Sequence, residues 1–222
     1  VMTSESLGPV ATIVAIDGPA ASGKSSVAKL LAMRLGVPFL NTGAMYRAVG
    51  RACHEAGVDH DDPGAAGQVA EALELDFDSS GGLLVGGQPW NVNGEQMGDW
   101  ASRVAVHQPV REAMVARQRV LGQRSGCVAE GRDIGTVVFP AAPLKVFLVA
   151  SPGVRAQRRA EQEGHPERAG RYEAELMDRD RRDREREIAP LRPAPGALEL
   201  NSDELTLDQV VQRILGALPG AV

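Results

Sequence analysis

The chain has 222 residues, of which 43% are hydrophobic and 24% charged, a balance that suits one α/β domain with a sizeable core and modest insertions. A net charge of −5 argues against a protein whose main work is gripping nucleic acid, and no apolar run reads as a signal peptide or a membrane span. Cys53 and Cys127 are far apart and the four histidines are scattered, so neither a disulfide framework nor zinc spacing is present; buried free thiols in a cytoplasmic, reducing setting are expected.

Residues 1–9 read as a flexible tail. A β-branched run over 12–17 then predicts a buried strand. Next comes Gly18-Pro19-Ala20-Ala21-Ser22-Gly23-Lys24-Ser25, which fits G-x-x-x-x-G-K-[ST], and Ser26 belongs to the same stretch. Val27, Leu30, Leu31 and Leu35 follow at helical spacing, predicting a helix over 24–35. Strand, glycine loop and helix in that order are what a triphosphate cradle requires. The glycines let successive N–H groups point at phosphate oxygens, and the helix start adds positive charge. Lys24 reaches the β- and γ-phosphates and the Ser25 hydroxyl suits Mg²⁺; Lys24 is not expected to be a core residue. The alternative, a Gly/Ser-rich turn that happens to hold a lysine, does not account for the flanking elements.

Further strands are expected over 37–41, 126–130, 144–150 and 197–201, with helices over 44–56, 104–123, 154–163, 172–188 and 206–218. Alternating strands and helices imply a parallel sheet covered on both faces, with ligands at the carboxyl ends of the strands. Between about 73 and 94, alternating residues with Gly and Asn turns suggest a small antiparallel insert. The stretch 161–171, with Gly164, Pro166 and Gly170, reads as a mobile connection.

Three further clusters narrow the reading, the first two of them at the ligand edge of this sheet. Asn41-Thr42-Gly-Ala-Met-Tyr46-Arg47 follows the second strand; Thr42, Tyr46 and Arg47 either face a ligand or serve as an N-cap and ordinary helix residues. Glu130-Gly-Arg132-Asp133-Ile-Gly135 follows the third strand, as a ligand loop or as a surface turn with an internal ion pair. The run 178–187 is charged at every position. Most of it reads as a solvated helix, yet Arg179, Arg182, Asp183 and Arg186 are spaced to share one face suited to triphosphate and sugar hydroxyls.

Together, IDGPAASGKSSVAK, NTGAMYR, AVHQPVRE, EGRDIGTVVFP and RDRRDREREIAPL resemble bacterial cytidylate kinases, P-loop nucleoside monophosphate kinases, and keep that family's order from residue 13 to 191. The resemblance implies a five-stranded parallel sheet with helices on both faces, a core of about 10–72 and 98–222, a CMP-binding insert of about 73–97, and a lid of about 154–171. It implies transfer of the γ-phosphoryl group of ATP, with Mg²⁺, to CMP or dCMP. Ser102, Arg111 and Asp133 would read cytosine, Arg179 and Asp183 would hold the ribose, and Thr42, Arg47, Arg132 and Arg186 the acceptor phosphate. Tyr46 would wall the pocket, while Lys24, Arg132, Arg179, Arg182 and Arg186 would supply the catalytic charges. Glu130 stands where some relatives carry aspartate, and no role is carried over to it or to the lid side chains. Neither nucleic acid nor membrane is expected as a partner, and a monomer is expected. A guanine-nucleotide switch is disfavoured because no N-K-x-D tetrapeptide occurs and no D-x-x-G follows a strand suitably; a nucleic-acid-linked ATPase is disfavoured by acidity and scarce aromatics.

Overall fold

The computed structural model describes residues 12–94 and 96–219, so the tail expected over 1–9 lies outside the described residues. β1 (Ile13–Asp17) leads through the glycine loop into α1 (Lys24–Leu35). β2 (Phe39–Asn41) runs directly into α2 (Thr42–Glu55). That helix starts two residues before its apolar pattern does, because the Asn41 side chain accepts from the Ala44 N–H at 3.0 Å and caps it.

α3 (Pro63–Ala72) was not expected from the sequence. Its Ala/Gly-rich text carries little apolar periodicity, but Asp62 caps it by accepting from Gly64 and Ala65, and proline occupies its first turn. The antiparallel insert is present as β3 (Leu75–Phe77), β4 (Leu83–Val85) and β5 (Gln88–Pro89). Leu75 and Leu83 bury it against the main core. The single helix expected over 104–123 is two: α4 (Met97–Val104) and α5 (Gln108–Gln123). Pro109 is the reason, since its ring would clash with the carbonyl four residues earlier in a continuous helix.

β6 (Cys127–Gly131) is followed by a turn of π-helix over Ile134–Val138 and by β7 (Leu144–Val149). α6 (Pro152–Gln162) and α7 (Ala169–Glu185) are joined by a short 3₁₀ turn, Pro166–Arg168. α7 ends at Glu185, not at residue 188, because a helix running on into Pro190 would meet the carbonyl of residue 186. β8 (Leu198–Asn201) and α8 (Leu207–Gly216) close the chain, the latter begun by a capping box between Thr206 and Gln209.

The five parallel strands lie in the order β2-β6-β1-β7-β8. Their side chains alternate between two cores, as a doubly covered sheet requires. Ala15, Leu40 and Ala129 face Met45, Val49, Val110 and Met114 of α2 and α5. Ile16, Val128, Val146 and Leu148 face Val27, Leu31, Val211 and Ile214 of α1 and α8. The buried cysteines Cys53 and Cys127 are free thiols. Among the described residues, no helix is long and apolar enough to cross a membrane. From β1 the chain passes over β6 to β2, whereas from β6 it passes over β1 to β7. The switch in direction leaves a crevice at the carboxyl ends of β1 and β6, where α/β sheets take their ligands.

Candidate active site

The glycine loop sits at the end of the central strand. A Cβ on Gly18 would lie 2.1 Å from the Leu148 carbonyl oxygen, and its φ is +152°, so only glycine lets the loop leave β1 against β7. Gly23 has φ +92° and opens α1 without a side-chain cap, which leaves the first helical N–H groups directed into the loop. Lys24 is only 4% exposed, contrary to the expectation that it is no core residue. Its ammonium donates to the Pro19 carbonyl at 2.5 Å and the Ser22 hydroxyl at 3.3 Å. Burial, aided by the Arg132 charge, pulls its pKa down to about 7. The Ser25 hydroxyl donates to Glu130 Oε1 at 2.5 Å.

Asp17 was read only as the end of a strand, yet it joins the two loops at the switch point. Its Oδ1 accepts from the Ile134 N–H at 2.8 Å and its Oδ2 from the Gly135 N–H at 2.7 Å. Burial pushes its pKa up to about 6 despite those two bonds. A buried acid closing a strand just before the glycine loop was the available signal.

A second cleft opens beside the loop, lined by Thr42 and Tyr46 from α2, Ser102 from α4, Arg132 and Asp133 from the β6 loop, and Arg179, Asp183 and Arg186 from α7 and its end. Thr42 donates to the Glu130 carbonyl at 2.6 Å, which sets α2 at the sheet edge. Arg132 Nε lies 2.7 Å from Asp183 Oδ2. Asp183 is buried, yet Arg132 and Arg179 hold its carboxyl below the usual range against the cost of burial. Behind the cleft, buried Arg111 pairs with Asp133 and lies 3.4 Å from the Tyr46 hydroxyl; Arg186 Nη2 approaches the other Asp133 oxygen to 3.5 Å.

The charged face expected on α7 is corrected in two places. Arg182 is partly exposed and pairs with Asp99 of α4 at 2.8 Å; it does not line the cleft. Arg186 lies one residue beyond the helix and enters the cleft through the turn, where its Nε donates to the Ala189 carbonyl at 2.6 Å. Arg47 lies nearby, close enough to feel Glu130 and Arg132.

Among the described residues, four buried polar atoms in this group have no hydrogen-bond partner: Arg47 Nε, Ser102 Oγ, Arg179 Nε and Arg186 Nη2, the last keeping only its 3.5 Å ion-pair contact with Asp133. Burial lowers the pKa of all three arginines, Arg179 to about 10 with Arg132 contributing. Crowded, desolvated guanidinium groups with unused N–H groups fit an anion with several acceptor oxygens. Sequence reasoning also missed Arg158, which donates to the Ser202 carbonyl at 2.7 Å, while the Ser202 hydroxyl reaches the Ser22 carbonyl at 3.3 Å. The end of β8 thereby braces the glycine loop.

The family model for cytidylate kinase matches residues 14–219. The chain belongs to the cytidylate kinase family. A cytidylate kinase of Geobacillus thermodenitrificans is 45% identical over 210 residues, covering 91% of this chain and 94% of that protein. A bifunctional pantoate ligase/cytidylate kinase of Prochlorococcus marinus is also 45% identical, over 91% of this chain but only 42% of its own length. The chain thus spans less than half of such bifunctional relatives. A solved structure of an uncharacterized protein from Eubacterium ventriosum aligns with a TM-score of 0.53 at 14% identity, covering 92% of this chain and 96% of its own, a likeness of fold alone. In this member of the cytidylate kinase family, GRDIGTVVFP spans residues 131–140 and contains the turn that Asp17 holds.

Proposed function

We propose that this chain transfers the γ-phosphoryl group of ATP to CMP or dCMP, giving ADP and CDP or dCDP. The observation that carries the reading is the group of buried donors without a hydrogen-bond partner among the described residues, Arg47 Nε, Ser102 Oγ and Arg179 Nε, beside a carboxylate, Asp133, that Arg111 and Arg186 hold in place. A phosphate, a sugar and a cytosine together supply matching acceptors and one amine donor. Asp133 accepts from the 4-amino group, and Arg111 with the Ser102 hydroxyl addresses O2 and N3. Arg179 and Asp183 hold the ribose, while Thr42, Arg47, Arg132 and Arg186 take the acceptor phosphate. Tyr46, packed under Arg111 at 6.0 Å from its ring centroid, walls the pocket.

On the donor side, the loop from Gly18 to Ser26 wraps the triphosphate. Ser25 and buried Glu130 present two hard oxygen donors beside each other, a set that fits Mg²⁺. When bound, Mg²⁺ would neutralise charge on the β- and γ-phosphates. The acceptor oxygen is already anionic, so no side chain needs to act as base. Lys24 and the arginines counter repulsion between two anions and align them in line. The stretch 154–171, anchored at its start where buried Arg155 donates to the Ala20 carbonyl, serves as the lid and 73–97 as the CMP-side insert, and their closure keeps water from the triphosphate.

The direct test is ADP release in the presence of ATP and Mg²⁺ with each nucleoside monophosphate in turn. CMP and dCMP turn over far faster than AMP or GMP; equal rates with AMP would remove the base-reading assignment. A second result follows from Lys24. Its pKa of about 7 leaves much of the ammonium neutral above that pH in the free protein, and a triphosphate alongside restores the charge. Binding of an ATP analogue therefore takes up protons at about pH 8 and takes up far fewer at about pH 6, where Lys24 is already charged. Calorimetry in buffers of different ionisation enthalpy measures this, and uptake that does not grow with pH contradicts it.

A further inference from the structure

One ion pair lies deep in the molecule with no part in either cleft. Arg155 of α6 and Asp180 of α7 are 3% and 1% exposed, and Arg155 Nη1 lies 2.6 Å from Asp180 Oδ2. Both turn to a single residue of the glycine loop. Arg155 Nη1 donates to the Ala20 carbonyl at 3.1 Å, and the Ala20 N–H donates to Asp180 Oδ1 at 3.3 Å. Arg155 Nε also donates to the Ala150 carbonyl at the end of β7, at 3.1 Å. Around this knot Ala20, Ala156 and Leu176 form a small apolar cluster, with Ala21 against it.

The next residue explains what such a hold would do. Ala21 has φ +58°, a left-handed conformation that residues with a Cβ rarely adopt and that persists only where the surroundings impose it. Stability alone gives no reason for the ion pair, because two desolvated charges are commonly no better than an apolar pair of the same size. What the charges add is direction: together they fix both backbone groups of Ala20. Asp180 also shares α7 with Arg179 and Asp183, which line the other cleft.

We infer that Arg155 and Asp180 are positioning residues that lock the phosphate loop at Ala20 to the helix carrying the acceptor-side groups, and so set the donor phosphates in line with the acceptor. The inference rests on the phosphoryl transfer proposed above. Neither residue touches a reacting atom.

The test is the double variant Arg155→Met/Asp180→Asn, which removes both charges together and leaves an acceptor for the Ala20 N–H. Thermal unfolding stays near that of the wild type, and calorimetric CMP affinity is unchanged. Amide exchange over residues 18–26 speeds up roughly tenfold or more while β1 and β6 stay protected, and kcat falls roughly tenfold or more. A double variant with wild-type kcat and wild-type loop exchange overturns the inference. Should that variant not fold, Arg155→Lys decides: a reduced kcat with unchanged KM for CMP supports the lock, and a wild-type kcat overturns it. Loop exchange separates the two readings. Selective loosening in the variants, in a protein that does not phosphorylate CMP, would remove the substrate assignment and leave the lock standing.

Discussion

Lys24→Ala lowers kcat by about a hundredfold or more, as removal of one preorganised charge from a transition state does, and leaves the fold in place. The second half of that expectation comes from the environment of the lysine. Its ammonium is buried, has among the described residues only the Pro19 carbonyl and the Ser22 hydroxyl to accept its protons, and is depressed to about 7 by burial and by Arg132. A base whose folded pKa lies below its ordinary 10.5 binds its proton less well folded than unfolded. The wild-type protein therefore gains stability as pH rises from about 7 toward that value. Lys24→Met, which keeps the apolar stem and removes the charge, abolishes this slope and leaves the melting temperature at pH 7 equal or higher, with turnover lost as fully as in Lys24→Ala. Steady-state kinetics and thermal circular dichroism across pH measure both effects. Near-normal turnover in a folded Lys24→Ala would take the glycine loop out of the mechanism.

The second large effect belongs to Arg186. Arg186→Ala cuts kcat/KM for CMP by about a hundredfold, within the range lost when one partner of a buried charged contact is removed. Arg186→Lys stays impaired, because an ammonium cannot use one nitrogen on the Ala189 carbonyl and others toward Asp133 and a phosphate. Arg184, two residues away and exposed, gives Arg184→Ala the profile of an ordinary surface change, within about half a kcal/mol in stability and near wild-type rate. Kinetics on the three variants, with circular dichroism to confirm folding, decides the matter. Small and equal effects at 184 and 186 would place this arginine outside the site.

The contrast between these two residues also shows what a sequence discloses. Lys24 was legible because its surroundings are a backbone requirement: glycine at 18 and 23, apolar strand before, apolar helix after. The sheet was legible for the same reason, as runs such as Leu144–Val149 have no other way to bury both faces. Arg186 reached the expected place by a different route. Its spacing suggested a helical face, but the helix stops short before Pro190 and the turn delivers the side chain; Arg182, which does sit on the helix, goes to Asp99. α3 hid in a stretch of alanine and glycine, where only the Asp62–Pro63 start signal stands out. Arg155 and Asp180 were least legible of all. Within α6 and within an unbroken charged run they look like their solvated neighbours, and only tertiary packing distinguishes them. Asp17 offered one signal, an acid closing a buried strand just before the glycine loop, but its partners are backbone N–H groups 117 and 118 positions away, which no side-chain pattern records.

That last contact has a consequence for how such a catalyst could change its choice of nucleotide. The Asp17 carboxylate is anchored on the central strand and fastens the base of the donor loop to the turn after Asp133. The interval across which a phosphoryl group would travel is therefore built into the middle of the sheet. Of the side chains proposed to read a base, Ser102 and Arg111 stand on α4 and α5, outside that junction, whereas Asp133 adjoins it and pairs with Arg111. Selection is thus mounted in two parts: a change at Ser102 is free to retune which base is welcomed while the central strand keeps its hold on the glycine loop, whereas a change at Asp133 acts on the junction itself.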